Sequence, residues 1–532
     1  MFRKFGRPLF FAMAGCAMIH PARAASPLVA CQPETTGGAP VCAVNMASYV
    51  RNPATGAAFC TIPATGPIPL CEQNLQAAVN DAQLFFTTKK AGVLINATKT
   101  YVINIPAGTY DLTAQTATLP HANGVIDVSG IAPAGTGCLS YTGPITGYIT
   151  LSGSGCLIIT GAGSANTKLI TADYLDAVFG RQVSHFMLTG MTLMQPNAGV
   201  TQGSFVSNNM TASVKLADGS TLTYALLVLD ISPGFPTPAM LYNRAATLGG
   251  APTYLRAYAN GTSPTPVLSP SAAKGEVNTQ RPYAGLYAQG MQVAMVAPTQ
   301  VDPAQHPNRW ALPMGLAAGG ANLPPYYSDT AGVSPTLVCL KLDDLQALYF
   351  TDLANGGSDI VLNDITLVNA ARSSFLGIRG SLDGRIHGVQ IFNSSIARGP
   401  AIDGQVPCLS SAGGGFQIGS LVGLPIYGTV IYNLQAKATG DDTVAIFNDI
   451  GGASIDGQAY PQSYILASKI GDSFVRNINL YNDQAVTSLP ISPVDVDAAT
   501  QDYIMQNGHC DPFLSLPYYP QMTGCPMAYT HN

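Results

Sequence analysis

Two adjacent carboxylates, Asp441 and Asp442, stand in the segment ATGDDTVAIFND at residues 438–449, directly before a run of β-forming residues. Without a permanent cation between them, two such groups repel, so one should keep its proton while the other stays ionised. That division suits acid/base hydrolysis, and Gly440 would let the backbone approach a ligand closely. The alternative is turn chemistry, in which Asp accepts backbone N–H groups. The motif alone leaves both open.

A third carboxylate, Asp403 in the segment Ala-Ile-Asp-Gly, is a second-rank catalytic candidate. In one alignment Ile446 stacks on Ile402 and Ile378 of earlier strands. Asp442 then stacks over Arg398 and Ser374 in one surface column. Asp403 lies five residues along the strand from this column. At about 3.3 Å per residue, five residues are too long for direct pairing. In the other alignment, residues 416–418 form this strand and Asp403 lies on a loop above a groove.

Basic side chains are concentrated in the same third of the chain, where they could bind sugar hydroxyls or carboxylates. Each could equally be an ordinary surface charge or, for the histidine, a strand residue. We expect no metal or other cofactor, because no His or Cys spacing suggests zinc. Ca²⁺ bound by Asp441, Asp442 and Asp449 is a minor alternative. The candidate substrate-binding residues are Arg372, Arg379, Arg398, His387, Lys437 and Asp449.

The elements that would position these residues are mostly short strands. Leu75, Val79, Ala82 and Phe86 recur at helical spacing and predict one amphipathic helix between Cys71 and about Lys90. Five later segments each end in an amide side chain and fit a repeat of about 24 residues, which is typical of a parallel β-helix with stacked Asn side chains. A sandwich with coincidental Asn-ended strands is the alternative. The segments are Met191–Gln195, Ile365–Asn369, Val389–Asn393, Thr429–Asn433 and Ile478–Asn482.

The repeat is interrupted between Gln195 and Ile365, where Pro-rich sequence with hairpin signals predicts an inserted β-domain. The single tryptophan, Trp310, is either a core residue of this insert or a platform for a sugar ring. The predicted organisation is a signal peptide (1–24), a Cys-containing segment with a capping helix (25–94), a first β-helix part (95–199), the insert (200–340), a second β-helix part with the site (341–488) and a C-terminal capping tail (489–532).

The start of the chain predicts an exported protein. Residues 1–24 have basic residues, an apolar run and a small-x-small cleavage site, which is typical of a secretory leader. The remaining Lys and Arg are outnumbered by 29 Asp and Glu, which argues against a nucleic-acid partner, and no later apolar run is long enough to span a membrane. We therefore expect a secreted or periplasmic protein whose oligomeric state the sequence leaves open.

Ten cysteines remain after the leader, an even number that suggests disulfides in an exported protein. Short-range pairing would join neighbours along the chain and leave two distant cysteines for each other. The predicted pairs are Cys31–Cys42, Cys60–Cys71, Cys138–Cys156, Cys510–Cys525 and Cys339–Cys408.

The Asp-Asp pair before Thr443-Val-Ala-Ile446 resembles the motif of the pectinase-type right-handed parallel β-helix hydrolases, the polygalacturonases and their relatives. By that resemblance Asp441 and Asp442 carry inverting glycoside hydrolysis, one as general acid and the other positioning or activating water. More weakly, residues 201–206 and 214–223 resemble the start of the barrel domain in β-helix α-1,3-galactosidases. The chain lacks the downstream Gly-His-Gly and Arg-x-Lys of polygalacturonases, which argues against galacturonate as substrate.

The sequence thus predicts an all-β protein, a right-handed parallel β-helix with an N-terminal capping helix and an inserted small β-domain. Its predicted function is that of an exported glycoside hydrolase acting on a poly- or oligosaccharide. One alternative is a polysaccharide lyase in which Arg398 or Lys437 abstracts a proton beside a uronate carboxylate. The other is a non-catalytic carbohydrate-binding or adhesin β-helix.

Overall fold

The computed structural model describes most of residues 30–481. The gaps include the pair 441–442, and the longer ones are 32–40, 59–69, 114–123, 139–154, 242–254, 261–275, 279–297, 317–336, 352–357, 379–385, 420–425, 448–453 and 472–477. The predicted leader and the C-terminal tail with its Cys510–Cys525 pair lie outside the described residues. Within the described part, no helix is both long and apolar enough to cross a membrane.

The described residues are mostly β-structure, and three parallel ladders dominate. The first ladder comprises β2 (Val41–Asn45), β5 (Thr100–Asn104), β8 (Leu157–Thr160), β11 (Phe186–Met194), β20 (Ser358–Val368), β22 (Ile386–Phe392), β26 (Val430–Tyr432) and β31 (Tyr464–Leu466), with β1 (Ala30–Cys31) antiparallel to β2 and β25 (Ile426–Tyr427) beside β22.

The second ladder is continuous with the first, because the far halves of β11 and β20 belong to it. Its other strands are β6 (Gly108–Asp111), β9 (Thr167–Ile170), β23 (Ser395–Ala397), β27 (Gln435–Lys437) and β32 (Lys469–Gly471). The third ladder comprises β7 (Gly124–Asp127), β10 (Asp176–Arg181), β19 (Gln346–Thr351), β21 (Ser373–Ile378), β24 (Phe416–Ile418), β28 (Val444–Phe447) and β33 (Ile478–Tyr481).

From β5 to β33 the described ladder strands follow one another in the same order of ladders on every pass. The single strands β11 and β20 serve both the first and second ladders, and β25 and β26 both pair with β22. The passes differ in length. Thr366 and Ser395, whose side chains are hydrogen-bonded across two adjacent passes, are 29 positions apart in the sequence. Asn393 and Asn433 are bonded across two adjacent passes in the same way but are 40 positions apart. The predicted repeat of about 24 residues is therefore wrong, because loops of unequal length connect strands that are in register.

One hydrophobic core is shared by the three ladders. Along the first ladder, strand pairing places eight aliphatic side chains in a single column, each no more than 2% exposed. Because alternate residues of a strand point to opposite faces, this column marks the face that the first ladder turns to the core. Its members are Val44, Ile103, Ile159, Leu188, Leu362, Ile391, Ile431 and Ile465.

The N-terminal end of the ladders is covered by the predicted helix, α1 (Glu72–Thr87). Leu75, Val79 and Ala82 are buried on its inner face. The Gln76 side chain pairs with the backbone of Asp127 on the outermost strand β7, donating to its carbonyl at 2.9 Å and accepting its N–H at 2.8 Å. Within the described strands β7 is at the edge of the third ladder, and a side-chain amide there pairs with its backbone, which is one way in which a sheet edge can be closed.

The predicted stacking of Asn side chains is confirmed for two of the five aligned segments. Asn433 donates to Oδ1 of Asn393 at 2.9 Å, and Asn393 donates to Oδ1 of Asn363 at 3.1 Å. Asn363 in turn donates to Thr189 Oγ1, so the stack continues to an earlier pass. The predicted member of the stack on this strand was Asn369, but Asn369 lies just beyond the end of β20, and Asn363 takes its place.

Two predicted disulfides, Cys138–Cys156 and Cys339–Cys408, are present. Cys42 and Cys71 are also disulfide-bonded, and Cys42 faces Cys31 across the β1–β2 pair. Cys60 and the Cys31 side chain lie outside the described residues.

Between β11 and β19 the chain forms a separate antiparallel sheet. Its strand order is β15 (Glu276–Asn278), β14 (Leu255–Asn260), β18 (Leu337–Leu342), β12 (Val200–Lys215), β13 (Thr221–Ile231), β17 (Arg309–Leu316) and β16 (Thr299–Gln300). Trp310 is half-buried on β17. Two short hairpins, β3 (Lys89–Lys90) with β4 (Val93–Leu94) and β29 (Ser454–Ile455) with β30 (Gln458–Ala459), complete the described elements.

Candidate functional site

The Asp441–Asp442 pair itself lies outside the described residues, but both ends of its loop are described and buried. The hydroxyl groups of Thr439 and Thr443 are hydrogen-bonded at 2.8 Å across the base of the loop. Gly440 donates its N–H to the Ser411 carbonyl at 3.0 Å, and the Thr443 carbonyl accepts the N–H of Phe416 at 2.8 Å. The segment of residues 439–443, named the aspartate loop, is therefore hydrogen-bonded to the preceding pass at both of its described ends.

The first predicted alignment of this loop is wrong. Ile446 pairs with Ile418, and Ile418 with Gly377, so Ile402 and Ile378 are not in that column. Arg398 begins a long excursion over residues 398–415 between β23 and β24, and the preceding pass meets the loop through Ser411 and Phe416 instead. The predicted column of Asp442, Arg398 and Ser374 fails because this excursion has no counterpart in the neighbouring passes.

Asp403 lies at the tip of the excursion, as the second alignment predicts. Ile402 and Gln405 exchange two backbone hydrogen bonds of 2.9 Å around Asp403 and Gly404, whose φ angles are +49° and +75°. Positive φ at both central residues is the type I′ hairpin turn, for which Asp-Gly is a preferred sequence. The turn alone thus explains an aspartate at this exposed position. Ile402 packs against Gly234 of the insert, where its Cγ2 would lie 2.7 Å from an added Cβ.

The root of the insert, formed by Gln202 on β12 and Cys339 on β18, is bound to this excursion by buried contacts. Oε1 of Gln202 accepts the Cys408 N–H at 2.7 Å, and its Nε2 donates to the Val406 carbonyl at 3.3 Å. The Cys339–Cys408 disulfide adds a covalent link from β18. Cys408 also packs in one small cluster with Ala438, which precedes the aspartate loop. The insert, the excursion and the aspartate loop are thus joined by one set of contacts.

A cleft of about 330 Å³ opens between the insert and the tip of the excursion. Its lining is mostly polar, with hydroxyl, amide and imidazole groups beside one carboxylate: Ser204, Asp230, Ile231, Ser232, Pro233, Gln305, His306, Pro307, Asn308 and Gln405. Gln405 contacts Gln202 through their side-chain amides at 3.4 Å, so the cleft shares a wall with the root of the insert.

The carboxylate of the cleft is paired with an arginine. Nε and Nη2 of Arg309 donate to the two oxygens of Asp230, both at 2.8 Å. These hydrogen bonds, together with the charges of Arg309 and His306, hold the pKa of Asp230 below its usual value despite its partial burial. Asp230 is therefore ionised and its charge is balanced, so the pair behaves as a fixed dipole in the wall.

The other predicted binding residues are only partly assembled. Arg398 is half-buried, and Gly399 after it packs so closely against the Asn369 side chain that a Cβ there would overlap it. Lys437 is exposed at the end of β27, and its carbonyl accepts the Ser410 hydroxyl at 2.6 Å. His387 lies on β22, but its side chain is outside the described part of the structure. Arg372, Arg379 and Asp449 lie wholly outside the described residues.

Sequence inspection missed the residues of the cleft, because its wall joins distant parts of the chain: Gln405 of the cleft contacts Gln202, 203 positions earlier. A signal was available for the turn alone, since Ile-Asp-Gly-Gln contains an Asp-Gly pair between β-formers. Among the described residues, no group of three or more His, Cys, Asp or Glu side chains could hold a metal ion.

The structure defines a mostly β protein with parallel ladders, an inserted antiparallel sheet and two disulfides between described cysteines. No protein-family model and no curated protein matches the chain.

A match among solved structures is the Gp54 tailspike of Acinetobacter baumannii bacteriophage AP22, in complex with A. baumannii capsular saccharide. It is 9% identical, with a TM-score of 0.13, and the match covers 80% of this chain. The chain spans 62% of the tailspike chain. A TM-score this low says nothing of the fold, and the strand pairings alone describe it.

Proposed function

We propose that the chain is a right-handed parallel β-helix and an exported glycoside hydrolase that cleaves a poly- or oligosaccharide through Asp441 and Asp442. A β-helix accounts for ladders that are visited in one fixed order and for a core common to all three. In such a coil the corners between ladders carry the loops, and loops on a rigid scaffold are the usual place for catalytic groups.

The observation that carries the proposal is the hydrogen-bonded base of the aspartate loop. Thr439 and Thr443 bond to each other, and Gly440 bonds to Ser411, so the residues on both sides of the aspartate pair are fixed by hydrogen bonds. Nearby like charges disfavour joint ionisation, and we assign the proton to one aspartate and the negative charge to the other. Glycoside hydrolysis requires one protonated carboxylic acid and one ionised carboxylate.

In the proposed reaction, one aspartic acid protonates the leaving glycosidic oxygen and a carboxylate activates the attacking water. Inversion of the anomeric centre requires acid and base to lie about 6.5 to 9.5 Å apart, which leaves room for that water. Asp403, on the turn that faces the insert, is the candidate for a third carboxylate. Arg372, Arg379, Arg398, His387, Lys437 and Asp449 remain candidates for substrate binding.

The test is the Asp442→Asn variant of the mature protein, assayed for new reducing ends on a panel of neutral and acidic glycans. Loss of general acid or base catalysis should lower turnover about 10²- to 10⁴-fold. The melting temperature should stay nearly unchanged, because both threonines and Gly440 are kept. The matched control is Asp111→Asn, an exposed aspartate near the opposite end of the ladders, which should keep full activity.

Two other results would redirect the assignment. Absorbance of an unsaturated uronate would indicate a lyase, with the chemistry moved to a basic residue. Binding of a glycan without turnover, unaffected by Asp442→Asn, would indicate a carbohydrate-binding protein. Full activity in the Asp442→Asn variant would refute the catalytic role of this residue.

A further inference from the structure

The cleft between the insert and the excursion is a site with no role in the proposed chemistry. It is built from two parts of the chain, the turns of the inserted sheet and the tip of residues 398–415. At about 330 Å³ it lies at the lower end of the range of small-molecule pockets. Such a volume suits a single ring-sized ligand rather than a polypeptide.

The lining offers groups that hydrogen-bond to hydroxyls. Gln305 and Asn308 are exposed, and within the described part of the chain their side-chain amides are bonded to no other group. Their loop is nevertheless ordered from within, because the Asp302 carbonyl accepts the N–H groups of Gln305 and His306. Each amide has both donors and acceptors, so together they match the mixed donor and acceptor pattern of a sugar hydroxyl face.

The charges of the lining decide between classes of sugar. Asp230 is neutralised by Arg309, and the lining contains no lysine or arginine that could pair with a ligand carboxylate. Asp403 lies close by, with its carboxyl group 3.9 Å from where a Cβ of Gly234 would stand, and it adds negative charge to the rim. The imidazole of His306 is the one basic side chain of the lining, and it faces the carboxylate of Asp230. An anionic sugar would therefore be desolvated here beside two carboxylates, whereas an uncharged sugar carries no such cost.

The cleft is close to the aspartate loop. Gln405 lines the cleft, and Ser411, six residues later, bonds to Gly440. Six residues of extended chain span at most about 20 Å. A glycan of a few sugar units could therefore reach from the cleft to the carboxylates.

We infer that this cleft is a subsite for an uncharged sugar residue at a distance from the bond that is cleaved, formed jointly by the insert and the 398–415 excursion. The inference rests on the proposed function for its position in a reaction, but binding itself does not require turnover. In a hydrolase, contacts made far from the reacting centre raise the efficiency with which longer substrates are used.

The experiment measures binding and turnover separately. Gln305→Ala/Asn308→Ala is compared with the unmodified protein and with Gln83→Ala, an exposed amide on α1. Binding of neutral oligosaccharides is followed by saturation-transfer NMR and calorimetry in the Asp442→Asn background. The double variant should bind at least tenfold more weakly, while Gln83→Ala should bind normally. In the active background, kcat/KM should fall about tenfold on long substrates and stay unchanged on the shortest one cleaved.

The two proposals fail in different ways. If Asp442→Asn retains turnover but the double variant loses neutral-glycan binding, the subsite stands and the catalytic assignment falls. Unchanged binding by the double variant overturns the subsite. Affinity confined to uronate-containing glycans, or no neutral glycan bound by the unmodified protein, also overturns it.

Discussion

The stack of Asn side chains along the ladders makes a quantitative prediction at Asn393. Its side chain accepts from Asn433 at 2.9 Å and donates to Asn363 at 3.1 Å, and its φ angle is +48°. The position therefore combines two hydrogen bonds with a left-handed backbone conformation that Asn tolerates better than most residues. Three substitutions separate the two contributions.

Asn393→Gly removes both hydrogen bonds but keeps the backbone unstrained. Because Asn393 is exposed, each bond should contribute near the lower end of the usual range, so the variant should lose about 1 to 2 kcal/mol of unfolding free energy. Asn393→Ala removes the same bonds and adds left-handed strain, so it should be less stable than the glycine variant by about 1 kcal/mol. Asn393→Asp can accept from Asn433 but cannot donate to Asn363, and should lose about half as much as glycine.

Unfolding in guanidinium chloride at pH 7, followed by far-ultraviolet circular dichroism, gives the free energies from the midpoints and a shared m-value. Gln435→Ala, an exposed amide on β27, is the control and should lie within about 0.5 kcal/mol of the unmodified protein. A glycine variant as stable as the unmodified protein would refute the contribution of the stack. Equal stability of the alanine and glycine variants would refute the strain.

Two more predictions concern the loop and the cleft. In Gly415→Ala the new Cβ would overlap the Thr443 carbonyl oxygen, so stability should fall by about 1 to 3 kcal/mol and any turnover should fall with it; an unchanged melting temperature and rate would contradict this. For Asp230, the folded pKa is below the unfolded value of about 3.9, so its stabilisation is complete above that pH and is lost as pH falls through the folded value. Because the Asp230 side chain is 42% exposed, Asp230→Asn should cost no more than about 0.5 kcal/mol at pH 7, and the cost should shrink as pH falls below the unfolded pKa; an equal loss in unfolding free energy at pH 7 and at acid pH would exclude an electrostatic origin.

Local patterns in the sequence were sufficient for several elements. The helical spacing of Leu75 to Phe86 predicted α1, and the pairings Cys138–Cys156 and Cys339–Cys408 were anticipated from cysteine arithmetic. The Val389–Asn393 and Thr429–Asn433 segments were aligned correctly, as Gln390 pairs with Val430. These predictions succeeded because each rests on a short-range period or on a small set of possible partners.

The register between passes could not be predicted from the same patterns. Strand pairing tolerates loops of any length, so a 24-residue offset for Asn369 and Asn393 fitted the sequence as well as the pairing in which Asn363 joins the stack. The same freedom hid the excursion over residues 398–415, and with it the displacement of Arg398 from the predicted column. A repeat with unequal loops has no fixed period from which the register can be counted.

The sequence by itself determined the strand-rich character and the helix at the N-terminal end, because these depend on neighbouring residues; the chemistry of the Asp441–Asp442 pair stays a prediction. Tertiary structure decided which passes are adjacent, what holds the base of the aspartate loop, and that Asp230, His306 and Gln405 meet around one cleft. The physical reason is that packing joins surfaces by shape and hydrogen bonding. Residues about 200 positions apart thus become neighbours without leaving a periodic trace in the chain.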